Sequence, residues 1–413
     1  MTVFIICAVI SIAGIILYLL QAGAAYSLIK KKKVSVCLTA MHEPDYTPQV
    51  SILKPLKGLD DNLFDNLSSF CNQNYPSYEI LFCLQDINDP AYKVARRVQE
   101  RSPGRNISIV VEKCNIGLNP KVNNLIPAYR RARHPYVLIS DSNVMVDENY
   151  LQEIMRFTAD PSVGLVSNLI RGIGGRSLGA LFENLHLNSF IIGSVSFLDR
   201  VLGMPCVIGK SMLMKKDDLE ALGGLDAFKD ILAEDFIIGR EMQRSGKKVV
   251  LSNYVISNVN EYWGVKRFLN RHTRWGKLRW NIGGAKYISE LLVNPVFIAT
   301  LPILFMGPSQ GTLSLAAFIS LIKVLGDSMI GRTIESSAAS TYNHKQSSLV
   351  YFLAPIKDIL IGILWFVPLL SSTVVWRGNR YIIGKDSRLS PCSENEAWSW
   401  GFRITERRRA RVA

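Results

Sequence analysis

Paired cysteines are missing from this chain. Cys7, Cys37, Cys71, Cys83, Cys114, Cys206 and Cys392 are scattered, odd in number and never spaced C-x-x-C. That argues against a disulfide scaffold and a structural zinc site, and fits free thiols in a reducing compartment. Charge is absent from Met1 to Ile29. No nucleic-acid-binding motif accompanies the formal charge of +14, so nucleic acid is a poor account of the basic balance. No internal repeat is visible, which argues against a transporter. At 48% apolar and 20% charged, the composition excludes disorder and collagen-like repeats. A mean hydropathy of +0.15 is high for a chain with 82 charged residues (48 Lys+Arg and 34 Asp+Glu). Apolar residues are therefore concentrated in membrane segments.

The first segment, Val3 to Leu20, is almost wholly aliphatic and is followed by Lys30-Lys31-Lys32-Lys33. A signal peptide carries its basic residues before the apolar run. Here they follow it, so residues 1–33 are expected to be an uncleaved anchor with its stop. The positive-inside tendency then places the amino terminus outside and the remainder in the cytosol. Three more apolar stretches, Leu291–Met306, Leu313–Ile330 and Leu349–Leu370, make residues 291–370 a membrane region. The first two, joined at Gly307-Pro308-Ser309-Gln310-Gly311, read as a hairpin out and back, with Lys323 snorkelling to the interface. The third carries Pro355, Lys357 and Asp358, which are costly inside a span. It reads equally as a crossing, a re-entrant segment or an interfacial one. Residues 371–413 are expected to be a basic tail, ending in Arg407-Arg408-Arg409-Ala410-Arg411.

Residues 48–260 have the composition of a cytosolic α/β domain. Short apolar runs at Val50–Leu53, Tyr78–Leu84, Ile107–Val111 and Pro135–Ser140 alternate with helical patterns. This predicts a mainly parallel sheet wound by helices, with ligands bound beyond the carboxyl ends of its strands. Acidic residues recur at such ends: Asp86 and Asp89, Asp141, and Glu234-Asp235 ahead of a helix at Phe236–Arg244. One such Asp is commonly a turn former or helix cap. Several together suit a hard divalent cation, which in turn suits a diphosphate. Residues 261–284 interleave aromatic and basic side chains, and on a helix Arg271, Arg274 and Trp275 share a face. This predicts an interfacial amphipathic helix whose cations meet lipid phosphates or a charged leaving group.

In order, Asp86, Asp141, Asp235 and Arg271-His272-Thr273-Arg274-Trp275 resemble the D, D, D, (Q/R)-x-x-R-W series of membrane-bound inverting glycosyltransferases of the GT-A fold. The surrounding text is more narrowly similar to glycosyltransferase family 21, the ceramide glucosyltransferases. The stretches that carry it are Ile52–Gly58, Gln85–Pro90, Gly117–Leu125, Gly209–Met214 and Trp376–Tyr381.

The resemblance implies a GT-A domain, a nucleotide-diphospho-sugar transferase, with transmembrane helices at both ends. Its activity would move glucose from UDP-glucose to the primary hydroxyl of ceramide at the cytosolic membrane face. Asp86 would contact uridine, Lys121 the same nucleotide, and Asp141 the metal and diphosphate, with Mg2+ or Mn2+ as cofactor. Asp235 would be the general base, while Arg271, Arg274 and Trp275 hold the diphosphate and line the acceptor entrance. One direct displacement inverts the anomeric centre. Two departures stand out. Asp141-Ser142-Asn143 offers Asn143 where a second carboxylate is expected, and His186 matches no family histidine, so it is expected to be structural. Other acceptors or donors (a hopanoid, diacylglycerol, UDP-N-acetylglucosamine) fit the same fold. A polysaccharide synthase or a silent membrane scaffold fits less well. With no retrieval signal in view, a bacterial inner membrane is favoured over Golgi or ER.

Overall fold

A computed structural model describes residues 2–30, 46–337, 347–376 and 379–392. Lys31, Lys32, Lys33, Cys37, Arg377, Gly378 and the run at 407–411 lie outside the described residues.

Four strands found where the apolar runs predict them form the parallel half of the sheet: β1 (Val50–Pro55), β2 (Tyr78–Leu84), β3 (Ile107–Val111) and β4 (Tyr136–Ile139). Four more, β5 (Val144–Met145), β6 (Val163–Ile173), β7 (Met212–Lys215) and β8 (Lys248–Val259), complete the order 3-2-1-4-7-6-8-5. Strand β7 runs antiparallel to both β4 and β6, and β5 antiparallel to β8, so the sheet is mixed but mainly parallel. This is the α/β class, a mainly parallel sheet wound by helices, that the apolar runs predict.

The helices are α1 (Thr2–Lys30), α2 (Leu63–Cys71), α3 (Pro90–Arg101), α4 (Pro120–Arg131) and α5 (Tyr150–Met155). They continue with α6 (Leu178–His186), α7 (Ile192–Leu202), α8 (Lys216–Ala221), α9 (Glu234–Arg244) and α10 (Val265–Gly283). The last are α11 (Ser289–Leu292), α12 (Pro295–Met306), α13 (Gln310–Ser337), α14 (Ala354–Leu364) and α15 (Val367–Leu370). Successive residues of a strand face opposite sides. On β1, Val50 and Ile52 join a core with Leu67 and Phe70 of α2 and Val98 of α3, while Leu53 joins a second core with Val122, Leu125 and Ile126 of α4. Helices therefore cover both faces, and the carboxyl ends of β1, β2 and β4 stay free to carry polar loops.

Helix α1 packs Ile15, Tyr18 and Leu28 against Val296, Ala299, Ile319 and Ile330 of α12 and α13. Its other side exposes Ile5, Val9, Ile12 and Ile16, as a lipid-facing surface would. Among the described residues three segments are long and apolar enough to cross a membrane: α1, α13 and Ser348–Leu370. The hairpin expected from Leu291 onward takes another form. Helix α12 has 12 residues, about 18 Å at 1.5 Å per residue, and is bent by 70° from Val265–Leu292, as a broken span or re-entrant loop. Asn294 and Pro295 account for the break, since Pro295 opens the new helix and Asn294 caps it by accepting from Phe297 N at 3.2 Å.

Lys323 does not snorkel. Its Nζ is buried 2.6 Å from both Asp327 oxygens and 3.6 Å from Asp358, Tyr18 Oη donates to Asp327 at 2.6 Å, and Lys357 meets Asp358 at 2.7 Å. The charges that make the last apolar stretch costly thus find counter-charges within the bundle. The expected tail begins as a second sheet. Strands β9 (Thr373–Trp376), β10 (Asn379–Ile383) and β11 (Leu389–Pro391) form an antiparallel trio packed on Leu232.

Candidate active site

The loop after β3 reaches α4 through Asn119, whose Oδ1 accepts from Lys121 N at 2.8 Å and Val122 N at 3.1 Å, a side-chain cap ahead of Pro120. The cap fixes the first turn and aims Lys121 across the sheet ends. Lys121 Nζ lies 3.0 Å from Asp141 after β4, 3.0 Å from Glu234 at the start of α9, and 3.1 Å from Gly209 O. Lys210 Nζ approaches Asp141 at 2.9 Å and Asn143 Oδ1 at 2.7 Å. Beneath them, buried Lys54 donates to Asp141 O at 2.7 Å. Burial alone would raise the Asp141 pKa, but Lys121 and Lys210 outweigh it and hold the carboxyl well below its ordinary range. Burial would likewise lower Lys121, yet Asp141, Glu234 and Asp235 keep it protonated, its pKa raised.

Asp235 behaves in the opposite sense. Burial, then the charge of Glu234, pushes its carboxyl up to about 6 against the pull of Lys121 and of backbone N–H donors. It accepts from Gly209 N at 2.8 Å and Phe236 N at 2.8 Å. A Cβ at Gly209 would run into that carboxylate, so only glycine brings the backbone so close. The loop leading to Asp235 is clasped by the second sheet. Leu232 N donates to Ser387 O at 3.0 Å, Ala233 N to Ser387 Oγ at 3.2 Å, and Leu389 N to Asp230 O at 2.7 Å.

On α10, Arg271 Nε stands 3.4 Å from Glu183 of α6, and His272 Nε2 2.9 Å from the other oxygen of that carboxylate. Glu183 is fully buried. Arg271, with His272 and its hydrogen bond, overcomes its desolvation and lowers its pKa to about 2. Arg271 lies over Trp275 at 4.3 Å and Trp263 at 5.2 Å, and Arg274 over Trp376 at 5.9 Å.

Lys121, Asp141 and Asp235 therefore meet in one cluster with Asn143 at its margin, while Arg271, Arg274 and Trp275 occupy the adjoining helix. Asp86 stands apart. It is exposed after β2, where its carboxylate accepts from Asn88 N and Nδ2 at 2.9 and 3.1 Å. Its neighbour Asp89 caps α3 through Ala91 N and accepts from Gly58 N, tying two loops together. Lys210 and Glu183 were given no role by sequence reasoning, and Glu234 only as one of the recurring acidic residues. Lys210 and Glu234 lie inside motif stretches, but nothing in their spacing distinguishes them from surface charges. Among the described residues no group of three or more His, Cys, Asp or Glu is arranged to hold a metal ion. The hard oxygens of Asp141 and Asn143 remain of the kind a divalent cation accepts.

A family profile described as Glycosyl transferase family 21 matches residues 14–389. Ceramide glucosyltransferase 3 of Caenorhabditis elegans is 29% identical over 355 residues, covering 84% of this chain and 76% of the relative. Ceramide glucosyltransferase 1 of the same organism is 35% identical over 244 residues, covering 57% of this chain and 51% of the relative. Among solved structures, a mannosyltransferase from Pyrobaculum calidifontis in complex with GDP-Man and Mn2+ aligns at 17% identity. Its TM-score is 0.49, over 88% of this chain and 99% of the other.

Proposed function

This chain belongs to glycosyl transferase family 21, and from that premise we propose that it moves glucose from UDP-glucose to the primary hydroxyl of ceramide at the cytosolic membrane face. The observation that carries the reading is Asp235, a carboxylate pushed up to about 6 beside the Lys121–Asp141 pair. A general base works best with a pKa near the working pH, within hydrogen-bond reach of the proton it takes.

Asp235 accepts the proton of the acceptor hydroxyl as that oxygen attacks the anomeric carbon and the bond to the diphosphate breaks. One displacement converts an α-linked donor to a β-glycoside. Negative charge grows on the leaving UDP, and Lys121, Lys210, Arg271 and Arg274 supply fixed positive charge to meet it. Asp86 contacts uridine, and Trp275 lines the acceptor entrance. A divalent cation, Mg2+ or Mn2+, would be held by Asp141 and Asn143 and would add positive charge at the diphosphate. Residues 48–260 are the catalytic domain, residues 1–33 its anchor, residues 261–284 its interfacial helix and residues 291–370 its further membrane segments. Ser387 and Leu389 brace the base loop, and the membrane is a bacterial inner membrane or, in a eukaryote, Golgi or ER.

The test is transfer by purified, detergent-solubilised protein. UDP-glucose, UDP-galactose and UDP-N-acetylglucosamine would be offered against ceramide, diacylglycerol and a hopanoid polyol, with and without EDTA. Glucosylceramide made by the intact protein and not by Asp235→Asn supports the proposal. Product on another lipid moves the acceptor while keeping the mechanism. Slow UDP release that is identical in the variant would sink it.

A further inference from the structure

A narrow crevice of about 40 Å3 opens between α10, the membrane helices and the end of α6, lined among others by His186, His272, Arg279, Lys323, Asp358 and Trp365. Among the described residues, both ring nitrogens of His186 and Nδ1 of His272 in its wall are buried without a hydrogen-bond partner, while Asp358 Oδ2 meets Lys323 at 3.6 Å. His186 is only 2% exposed and, among the described residues, its ring is stacked on Phe190 at 4.9 Å and edge-on to His272 at 4.3 Å. Buried polar groups are normally hydrogen-bonded, and each exception asks for a partner. An imidazole kept for packing would be replaceable by an apolar ring, whereas one with two idle nitrogens facing a crevice is placed to be met.

The charges around the crevice cancel. Lys323 and Lys357 balance Asp327 and Asp358, Arg279 pairs with Glu290 at 2.7 Å, and Arg271 with Glu183 at 3.4 Å. An anionic lipid head would meet no spare cation there, and a cationic one no spare carboxylate. Burial first, then the neighbouring His272, Lys357, Arg279 and Lys323, lower the His186 pKa well below its ordinary range, so the imidazole is neutral. A neutral imidazole offers one donor and one acceptor, which matches a hydroxyl or an amide.

We propose that this crevice is the acceptor-head subsite, that it takes an uncharged lipid head bearing hydroxyl or amide groups, and that His186 reads that head through its two ring nitrogens. The proposal deepens the lipid-transferase reading and rests on it for the identity of the acceptor. Glu183 joins the subsite to the diphosphate side, since it holds Arg271 with one oxygen and His272 with the other.

The experiment is equilibrium binding of tritiated short-chain ceramide to the full chain in nanodiscs without donor. The wild type would be compared with His186→Phe, which keeps the ring and its stacking, and His186→Asn, which keeps a donor and an acceptor. Phosphatidylglycerol would be the competitor, and UDP-glucose affinity would be measured in parallel. The expected result is saturable ceramide binding weakened about tenfold in His186→Phe, the worth of one or two hydrogen bonds. His186→Asn should stay within about threefold of wild type, with donor affinity unchanged in both and no competition by phosphatidylglycerol. Ceramide binding unaffected by His186→Phe, equal loss of donor affinity, or effective competition by phosphatidylglycerol would each overturn the proposal. His186-dependent binding in a protein that transfers no sugar would keep the subsite and reject the transfer reading.

Discussion

Replacing Asp235 by Asn should abolish transfer and at the same time make the protein more stable near neutral pH. Folding raises the Asp235 pKa from an ordinary 3.8 to about 6. At about 1.36 kcal/mol per pH unit, this corresponds to about 3 kcal/mol by which the folded state disfavours the charged carboxylate. The sign follows from proton uptake. Below pH 3.8 the group is protonated in both states and costs nothing; between 3.8 and 6 the penalty grows, and above 6 it is present in full. Asn carries no charge and escapes it, but its amide nitrogen cannot accept one of the two backbone N–H bonds from Gly209 and Phe236. That loss is worth about 1–2 kcal/mol. The net gain is therefore about 1–2 kcal/mol at pH 7.5, vanishing or reversing near pH 4. Thermal unfolding of both proteins in detergent between pH 4 and 8 measures it, with sugar transfer followed in the same samples. In the wild type, kcat/KM should fall about tenfold from pH 7 to pH 5, as the base form drops from about nine tenths to about one tenth. An Asn variant less stable than wild type at pH 7.5, or one that still transfers sugar, would refute the reasoning.

Lys121→Met removes the cation that draws the Asp235 pKa down, so the acid limb of the pH profile should move above 6 and the donor KM should rise at least tenfold; an unmoved limb would separate the two residues. Ser387→Ala loses the Oγ that accepts from Ala233 N, costing about 1 kcal/mol. It should lower kcat more than KM, as steady-state kinetics would reveal. Lys323→Met leaves Asp327 buried without its ammonium and should destabilise by about 3–5 kcal/mol. Adding Asp327→Leu should recover much of that loss in a thermal-unfolding double-mutant cycle, and no recovery would mean the pair is not coupled.

The parallel half of the sheet was legible because β1 to β4 are short apolar runs bounded by turns, each long enough to be read locally. The other half was not. Strand β5 has two residues, and β7 gains its place only by running antiparallel between β4 and β6. At the site, Asp141, Lys121 and Asp235 were found through motif order. Glu183 was not, because nothing in Phe182-Glu183-Asn184 says that a helix 80 residues later will bring Arg271 and His272 onto its two oxygens. Lys323 misled for a related reason. Hydropathy counts one charge against one segment, whereas its stabilisation comes from Asp327 a turn away and Asp358 on another helix. Burial with counter-charges is a tertiary property, absent from any window of sequence.

The clasp on the Asp235 loop has a consequence for the order of assembly. Ser387 follows Ala233 by 154 residues, and α12, α13 and the last apolar segment lie between them. At about 5–20 residues per second of synthesis, the loop waits roughly 8–30 s for its brace. During that interval the sheet can form and the membrane helices can insert, while the carboxylate still hangs from an unsupported turn. Asp235, the proposed base, is thus braced last, after the candidate membrane segments between it and Ser387 have been made. If the proposed function holds, a growing polypeptide so built completes its site only after its membrane segments are in place.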